Sequence, residues 1–354
     1  MGCSNSDMTP AISILILNWN KPALTSRLLQ DLASQVQKKS VEVLVLDNGS
    51  TLPYPEWWKA MPNVRLLHSG TNVGYSGGMR LLIEQSRAPW LWLLNNDCRV
   101  PSNAVANAQR AVAAGNADVL FPIVLDPDGS IQSRDAHWNK VLTWRIGEVA
   151  KASGGAYPIF GDLFVGPLLR RKIVDALQIL PATFHSYGED FDACYCFALA
   201  AARCIREPAI KLTHQMSMSR PTELEERYRF TVQGARNLVV SVLLNYQWRT
   251  ILWAGLPVFV KAWCYDLGWR QRASWKLLGS KGLRCWMGFP QQVLLHYDAN
   301  RGIRTCRQSA RVMSDSGLFA GRNAYRERIL QFRSAAEEPA VPGDSAGEMY
   351  WHRR

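Results

Sequence analysis

Two acidic clusters about ninety residues apart hold the side chains best suited to chemistry. The first, Leu94-Asn95-Asn96-Asp97, follows the apolar run Trp90–Leu94 and sets a lone carboxylate at the end of a buried strand. The second, Gly188-Glu189-Asp190-Phe191-Asp192, crowds three carboxylates onto the start of an apolar helix. An acid at a sheet edge suits Mg²⁺ or Mn²⁺, hard cations that keep few protein ligands and bridge to phosphate oxygens. Neighbouring carboxylates repel, and with partial burial this lifts a carboxyl pKa toward the range of a general base. Acids that merely complement the helix macrodipole are the plainer alternative for the second cluster. His214 closes the last apolar strand and is either a further metal ligand, a phosphate contact or a structural histidine.

The elements that must position these groups are legible as a pattern. Ala11–Leu17, Val41–Leu46, Val64–Leu67, Trp90–Leu94 and Val119–Val124 are short apolar runs, the strands of a mostly parallel sheet. Between them Lys21–Gln37, Tyr75–Ser86 and Ser102–Ala114 have helical spacing, with Ser102 as N-cap and Gly115 as stop. Residues 126–160 lack periodicity; a strand follows at Leu163–Leu169, the acidic helix at 188–202 and a final strand at Ile205–Leu212. This is a doubly wound α/β arrangement, which binds ligands outside the carboxyl ends of its strands. The first strand ends in Leu17-Asn18-Trp19-Asn20 with no glycine, so the dinucleotide fingerprint is missing, and no Walker lysine loop occurs. Asp47-Asn48-Gly49-Ser50 closes the second strand, as a ribose-binding acid or as a plain Asx-turn. Asn72-Val73-Gly74-Tyr75-Ser76-Gly77-Gly78 opens a helix, where glycines let backbone approach an anion.

Taken in order, these motifs, with Gly166-Pro167-Leu168-Leu169-Arg170-Arg171 and a late Thr213-His214, resemble glycosyltransferase family 2, and within it the rhamnosyltransferase-like branch of bacterial cell-surface polysaccharide synthesis. The resemblance covers roughly residues 10–215. It implies the GT-A fold of nucleotide-diphospho-sugar transferases and an inverting transfer of a sugar such as rhamnose. The donor would be a dTDP-, UDP- or GDP-sugar, and the acceptor a hydroxyl of a glycolipid or polysaccharide. By resemblance Asn18, Trp19, Asn20, Asp47 and Asn48 line the nucleotide pocket, while Asn72, Gly74, Gly77, Asn95 and Asn96 lie along the nucleotide-sugar. Asp97 is then the metal-binding acid of an Asp-X-Asp-type motif, with His214 beside Mg²⁺ or Mn²⁺. Asp190 is the catalytic base, and Glu189 and Asp192 support the acceptor site. The family's usual Gly-Phe-Asp ahead of the Glu-Asp pair is replaced here by Gln178-Ile179-Leu180-Pro181-Ala182-Thr183-Phe184, and the arginine usual after the acids is absent from Cys196–Ala202.

Composition bounds the rest. The chain has 354 residues, 47% hydrophobic and 20% charged, a globular balance with room for one large domain and an appendage. Of its net charge of +12, +9 falls in residues 241–354, with 17 basic against 8 acidic side chains. The eight cysteines are scattered and form no disulfide framework, as in a reduced, cytosolic setting. Met1-Gly2-Cys3-Ser4-Asn5-Ser6 fits an acylation pattern, with a polar leader as the simpler alternative.

Beyond Arg220 the character changes. Trp248, Trp253, Trp263, Trp269, Trp275 and Trp286 punctuate apolar runs flanked by Arg249, Lys261, Arg270, Arg272, Lys276, Lys281 and Arg284. The runs Leu238–Trp248 and Thr250–Val260 are each too short to span a bilayer. Helices of this composition lie in the interface of an anionic membrane, and a soluble cap with a basic exterior is the alternative. No groove-reading motif for nucleic acid is present. The sequence thus divides into a leader (1–9), a catalytic domain (10–220), a membrane-associating helical region (221–300) on the cytoplasmic face of the inner membrane, and a basic segment with a flexible tail (301–354). Two rivals stand beside this reading. A nucleotidyltransferase would carry a Gly-rich basic loop where Asn18-Trp19-Asn20 stands, and a non-catalytic scaffold on a decayed transferase fold would have no need of Asp97 and Asp190.

Overall fold

The computed structural model describes residues 9–36, 40–138, 144–215, 223–269 and 271–319. The Met1-Gly2-Cys3 start, Arg270 and the tail at 335–354 lie outside the described residues, as does the Trp275 side chain. Eleven strands are present among them: β1 (Ile12–Asn18), β2 (Val41–Asn48), β3 (Val64–Ser69), β4 (Trp90–Asn95), β5 (Cys98–Arg99), β6 (Val119–Leu125), β7 (Arg134–Trp138), β8 (Trp144–Val149), β9 (Tyr157–Pro158), β10 (Leu168–Arg170) and β11 (Cys204–His214). The principal helices are α1 (Pro22–Ala33), α2 (Trp57–Ala60), α3 (Gly74–Gln85), α4 (Ala104–Ala113), α5 (Arg171–Leu177), α6 (Glu189–Leu199) and α7 (Leu224–Asn245).

Nine strands form one mixed sheet in the order β3-β2-β1-β4-β10-β6-β11-β5, with β9 also against β11. β1, β2, β3 and β4 are mutually parallel, as are β6 and β11, while β10 runs antiparallel between β4 and β6. The parallel strands are buried on both faces, which is why they read as unbroken apolar runs. Their side chains still alternate. Ile12, Ile14, Ile16, Val41, Val43 and Val45 pack with Leu28 of α1 and Val105 of α4 on one face. Leu15, Leu44, Leu46, Leu91 and Leu93 pack with Met79 of α3, Phe197 of α6 and Val240 of α7 on the other.

Several sequence expectations are corrected here. Helix α4 starts at Ala104 behind Asn103, so Ser102 is not its N-cap. The expected strand at Leu163–Leu169 contracts to Leu168–Arg170, because the chain turns at Gly166 (φ +67°) to enter between β4 and β6. The aperiodic stretch at 126–160 contains the β7–β8 hairpin. The run Leu238–Trp248, expected at a membrane, is mostly the buried second half of α7: Val239, Val240, Val242 and Leu244 join the core beside α6. The buried face of α7, with Val258, Ala262, Leu267, Phe289 and Val293 after it, therefore shares one core with the sheet.

Helical residues 248–269, 272–277, 280–287 and 289–299 lie outside α7. Trp263 and Trp286 staple two of these segments: each indole N–H donates to the other residue's carbonyl, at 2.9 and 3.0 Å. The outer surfaces expose Leu252 (79%), Leu277 (77%), Leu294 (66%), Trp269 (64%), Met287 (63%) and Trp253 (60%). Arg249, Lys261, Arg272, Lys276, Lys281 and Arg284 are exposed on the same segments. No helix of the described residues is long and apolar enough to cross a membrane. The C-terminal positive charge is partly internal: Arg304 and Arg307, on helix Arg301–Ser309, are buried.

Candidate active site

The carboxyl ends of β1, β2 and β4 place Asn18, Asp47 and Asn95 along one edge of the sheet. Asn18 is fully buried, donating to Asp47 Oδ1 (2.9 Å) and Ser50 Oγ (3.3 Å) and accepting from Thr25 Oγ1 (2.9 Å). Asn96 donates to the same Thr25 hydroxyl at 3.1 Å. Asn20, at φ +51°, accepts from the backbone N–H groups of Thr51 and Leu52. Asn48, 1% exposed, bonds Asn72 Oδ1, Gly74 O and Val73 N. Asn18 and Asn48 thus brace neighbouring turns, a correction to the expectation that they line the pocket, because an enclosed and satisfied amide has no group left for a ligand. Asp47 and Trp19 (44% exposed) remain open to the edge.

A Cβ on Gly74 would lie 2.5 Å from His185, and one on Gly77 3.1 Å from the Val73 side chain, so both glycines pack closely against protein neighbours.

Asp97 and His214 come together from separate elements, since β5 pairs antiparallel with the end of β11. Both are 8% exposed, and His214 Nε2 lies 3.2 Å from Asp97 Oδ1. Gln132 sets the imidazole's state. Its amide N–H donates to Asp126 Oδ1 at 2.9 Å, which turns its Oε1 onto His214 Nδ1 at 2.8 Å. Nδ1 is therefore the donor to Gln132, and Nε2 faces the Asp97 carboxylate. One carboxylate oxygen and one oriented imidazole fit Mn²⁺ or Mg²⁺ as a two-residue donor set, the arrangement that leaves coordination positions for phosphate and water. Among the described residues no group of three or more metal-ligating side chains occurs. Asn95 Oδ1 at the same strand end is buried without a hydrogen-bond partner.

The second cluster is a pair rather than a trio. Asp192 is fully buried, and its carboxylate accepts from Arg307 (2.7 and 2.8 Å), Ser241 (2.7 Å) and Asn245 (2.8 Å). It cannot support an acceptor, contrary to expectation, because both oxygens are saturated inside the core. Glu189 and Asp190 stay partly exposed at the mouth of α6. Glu189 Oε2 has no hydrogen-bond partner, and burial, followed by the adjacent Asp190 charge, pushes the Glu189 pKa up to about 8. Burial also raises Asp190, opposed by the Phe191 N–H that its Oδ1 accepts at 2.7 Å. Both carboxyls are thus raised, and at the mouth of α6 they titrate as a pair rather than as two independent acids.

The Tyr75 phenol is buried and unpartnered, and its pKa is raised first by burial, then by Glu189, Asp190 and Cys98.

The chain into α6 is a strap with backbone in the left-handed region at Gln178, Leu180, His185, Tyr187 and Gly188. Helix α7 grips it. Gln233 donates to Phe184 O and Ser186 O at 2.9 and 2.7 Å, and Asn237 to Phe184 O, Ser186 O and Tyr187 O at 2.9, 3.1 and 2.7 Å. Arg236 adds contacts to Thr183 O and Phe184 O. On the opposite side Ser76 N donates to His185 O at 2.9 Å. Gln132, Gln233, Asn237 and Arg307 carry no local sequence signal; a polar residue recurring on the buried face of α7 is the one cue.

Comparison with known proteins agrees with this architecture. The pattern of Glycosyl transferase family 2 matches residues 13–177. Over 137 residues the chain is 31% identical to the N-acetylglucosaminyl-diphospho-decaprenol L-rhamnosyltransferase of Mycobacterium tuberculosis (strain CDC 1551 / Oshkosh), covering 35% of this chain and 44% of that protein. The chain thus spans less than half the length of this curated relative. Among solved structures, S. aureus TarS 1–349 in complex with UDP superposes with a TM-score of 0.51 at 15% identity, covering 96% of this chain and 98% of that one. GalNAc-T7 with UDP, GalNAc and Mn²⁺ gives 0.54 at 12% identity, covering 82% and 59%. At these identities the likeness concerns the fold, a GT-A arrangement with a helical C-terminal region.

Proposed function

Because residues 13–177 belong to glycosyl transferase family 2, we propose that this rhamnosyltransferase-like chain is an inverting glycosyltransferase. It moves a sugar, rhamnose by analogy with its curated relative, from a nucleotide-diphosphate donor to a hydroxyl of a glycolipid or cell-surface polysaccharide. The observation that carries the proposal is the placement of Asp190 beside Glu189 in the first turn of α6, behind a strap that α7 holds by its carbonyls. Asp190 removes the acceptor proton as the hydroxyl attacks the anomeric carbon opposite the leaving diphosphate, and a single displacement of this kind inverts configuration. Asp47 and Trp19 border the nucleotide's place at the sheet edge. Asp97 and His214 would hold Mg²⁺ or Mn²⁺, which when bound supplies positive charge against the diphosphate. Gln132 fixes the His214 ring, and the strap 178–188 fixes Asp190.

Peripheral attachment to the cytoplasmic face of a bacterial inner membrane completes the proposal. Its support is the exposed apolar and basic surface of residues 248–299, where leucine, tryptophan and methionine stand beside six exposed cations. The catalytic unit then extends through α7 to about residue 245, and the membrane-facing part begins after it.

The test is a screen of dTDP-, UDP- and GDP-sugars with N-acetylglucosaminyl-diphospho-decaprenol in micelles, with and without Mn²⁺. We expect a metal-dependent, anomerically inverted product from one nucleotide class. Release of nucleoside monophosphate in place of diphosphate, or a product with retained configuration, would overturn the proposal.

A further inference from the structure

Tyr187 is the residue in the strap whose placement the chemistry above does not use. Its backbone sits at φ +69°, a region that bulky side chains rarely adopt and glycine adopts freely. Strain of this kind persists where surrounding contacts over-determine it and concentrates at functional sites. Here the contacts are explicit. Asn237 holds the Tyr187 carbonyl at 2.7 Å, and Gly234 of α7 lies beneath, so that a Cβ there would meet the Tyr187 Cβ at 3.6 Å. Phe230, one turn earlier on α7, supports the ring at 5.1 Å between centroids. Yet the side chain remains 44% exposed. A purely structural aromatic would be buried, and a purely conformational requirement would be met by glycine. The strained residue instead presents a braced ring to solvent three positions before Asp190.

We propose that the Tyr187 ring is a stacking platform for the sugar ring of the acceptor. The apolar C–H face of a pyranose matches an aromatic face, and stacking there would orient a hydroxyl toward Asp190. The platform rests on glycosyl transfer being the activity of this chain. It assigns Tyr187 to acceptor binding, with Phe230 and Gly234 as its supports, and gives it no role toward the donor.

The positive φ supplies a clean test, since Tyr187→Gly removes the ring while suiting the backbone. With N-acetylglucosaminyl-diphospho-decaprenol as acceptor, Tyr187→Gly should raise the acceptor KM about 10-fold. The donor KM should stay within about twofold of wild type and the melting temperature should not fall. Tyr187→Phe should rescue the acceptor KM, because it restores the ring face. An unchanged acceptor KM in the glycine variant, or a phenylalanine variant as impaired as the glycine one, would overturn the platform. Saturation-transfer NMR with octyl β-N-acetylglucosaminide and octyl α-rhamnoside reads ring contact without turnover. Signal present in wild type, lost in Tyr187→Gly and kept in Tyr187→Phe supports the platform even if every nucleotide-sugar proves inert and the transferase proposal falls. No wild-type signal from either glycoside overturns the platform on its own.

Discussion

The edge of the sheet formed by β1, β2 and β4 and the strap leading into α6 solve the same problem by opposite means. At the sheet edge, short side chains from neighbouring strand ends hold one another: Asn18 holds Asp47, Thr25 holds Asn18 and Asn48 holds the 72–74 turn. Asn20 has positive φ there, and asparagine is the non-glycine residue that tolerates the left-handed region best. The strap has Gln178, Leu180, His185 and Tyr187 in that region and is held through its carbonyls by a helix about fifty residues further along the chain. One region is self-supporting; the other is imposed from outside. A strap imposed from outside can orient catalytic groups tightly, and it makes those groups depend on residues that touch no substrate.

The largest effect should come from the strap side. Asp190→Asn removes the base and keeps its shape, so transfer should fall about 10²–10⁴-fold. Calorimetry should find donor affinity unchanged, because the substitution keeps the shape of a side chain that bonds no group of the sheet edge. Loss of donor binding would erase the distinction between the two regions.

Arg307→Met tests how far the strap side relies on remote support. It strands the buried Asp192 carboxylate, and breaking a buried pair in this way costs about 3–5 kcal/mol. Denaturant unfolding should show that loss, and Asp192→Asn in the same background should recover part of it. A change below about 1 kcal/mol would mean that water reaches the site.

Gln132→Leu sharpens the comparison on the sheet side. Without its amide, His214 loses the bond that fixes its tautomer, and Mn²⁺ affinity read from activation curves should fall about 10–100-fold. An identical activation curve would remove His214 from the metal site.

Glu189→Gln should act through pH. The folded Glu189 pKa, about 8, lies above its ordinary 4.5, so the native state binds the extra proton between those values. Its stabilising contribution is full below about pH 4.5 and is lost as pH rises through 8. The melting temperature of the variant relative to wild type should therefore climb from pH 5 to 8.5. A difference constant with pH would mean that burial does not raise Glu189.

The smallest effect concerns the outer helices. Replacing Arg272, Lys276, Lys281 and Arg284 by Gln should weaken sedimentation with anionic vesicles, each cation contributing about 1 kcal/mol near the surface, and leave turnover on a soluble acceptor intact. If wild-type protein ignores anionic vesicles, the exposed apolar surface serves another contact.

The contrast between the two regions also explains what could be read in advance. β1, β2 and β4 are legible because strands buried on both faces must be apolar throughout; Asp97 stands out as an acid after such a run, and Asp190 as part of an acidic cluster that opens a helix. Asn18 reads as a ligand contact and proves to be a brace, since sequence reports polarity at a strand end and not the direction of the side chain. Asp192 reads as a third acid of the site because its partner, Arg307, lies 115 residues away. Gln132 sits after a turn that resembles any polar loop, and Gln233 and Asn237 lie past the change of character at Arg220. Contacts of that separation leave no local periodicity to detect.

The Arg307–Asp192 contact also limits how this protein can be recombined. A chimera that borrows acceptor preference from a relative would naturally be cut where the family pattern ends, near residue 177, or at the compositional break near 220. Either junction separates α6 from α7 or from its buried counter-charge unless the graft runs on past Arg307 to Asp315, which pairs with Arg311 at 2.7 Å. The exchangeable cassette is thus residues 178–315 as one piece, and shorter transplants should yield insoluble protein before they yield a new specificity.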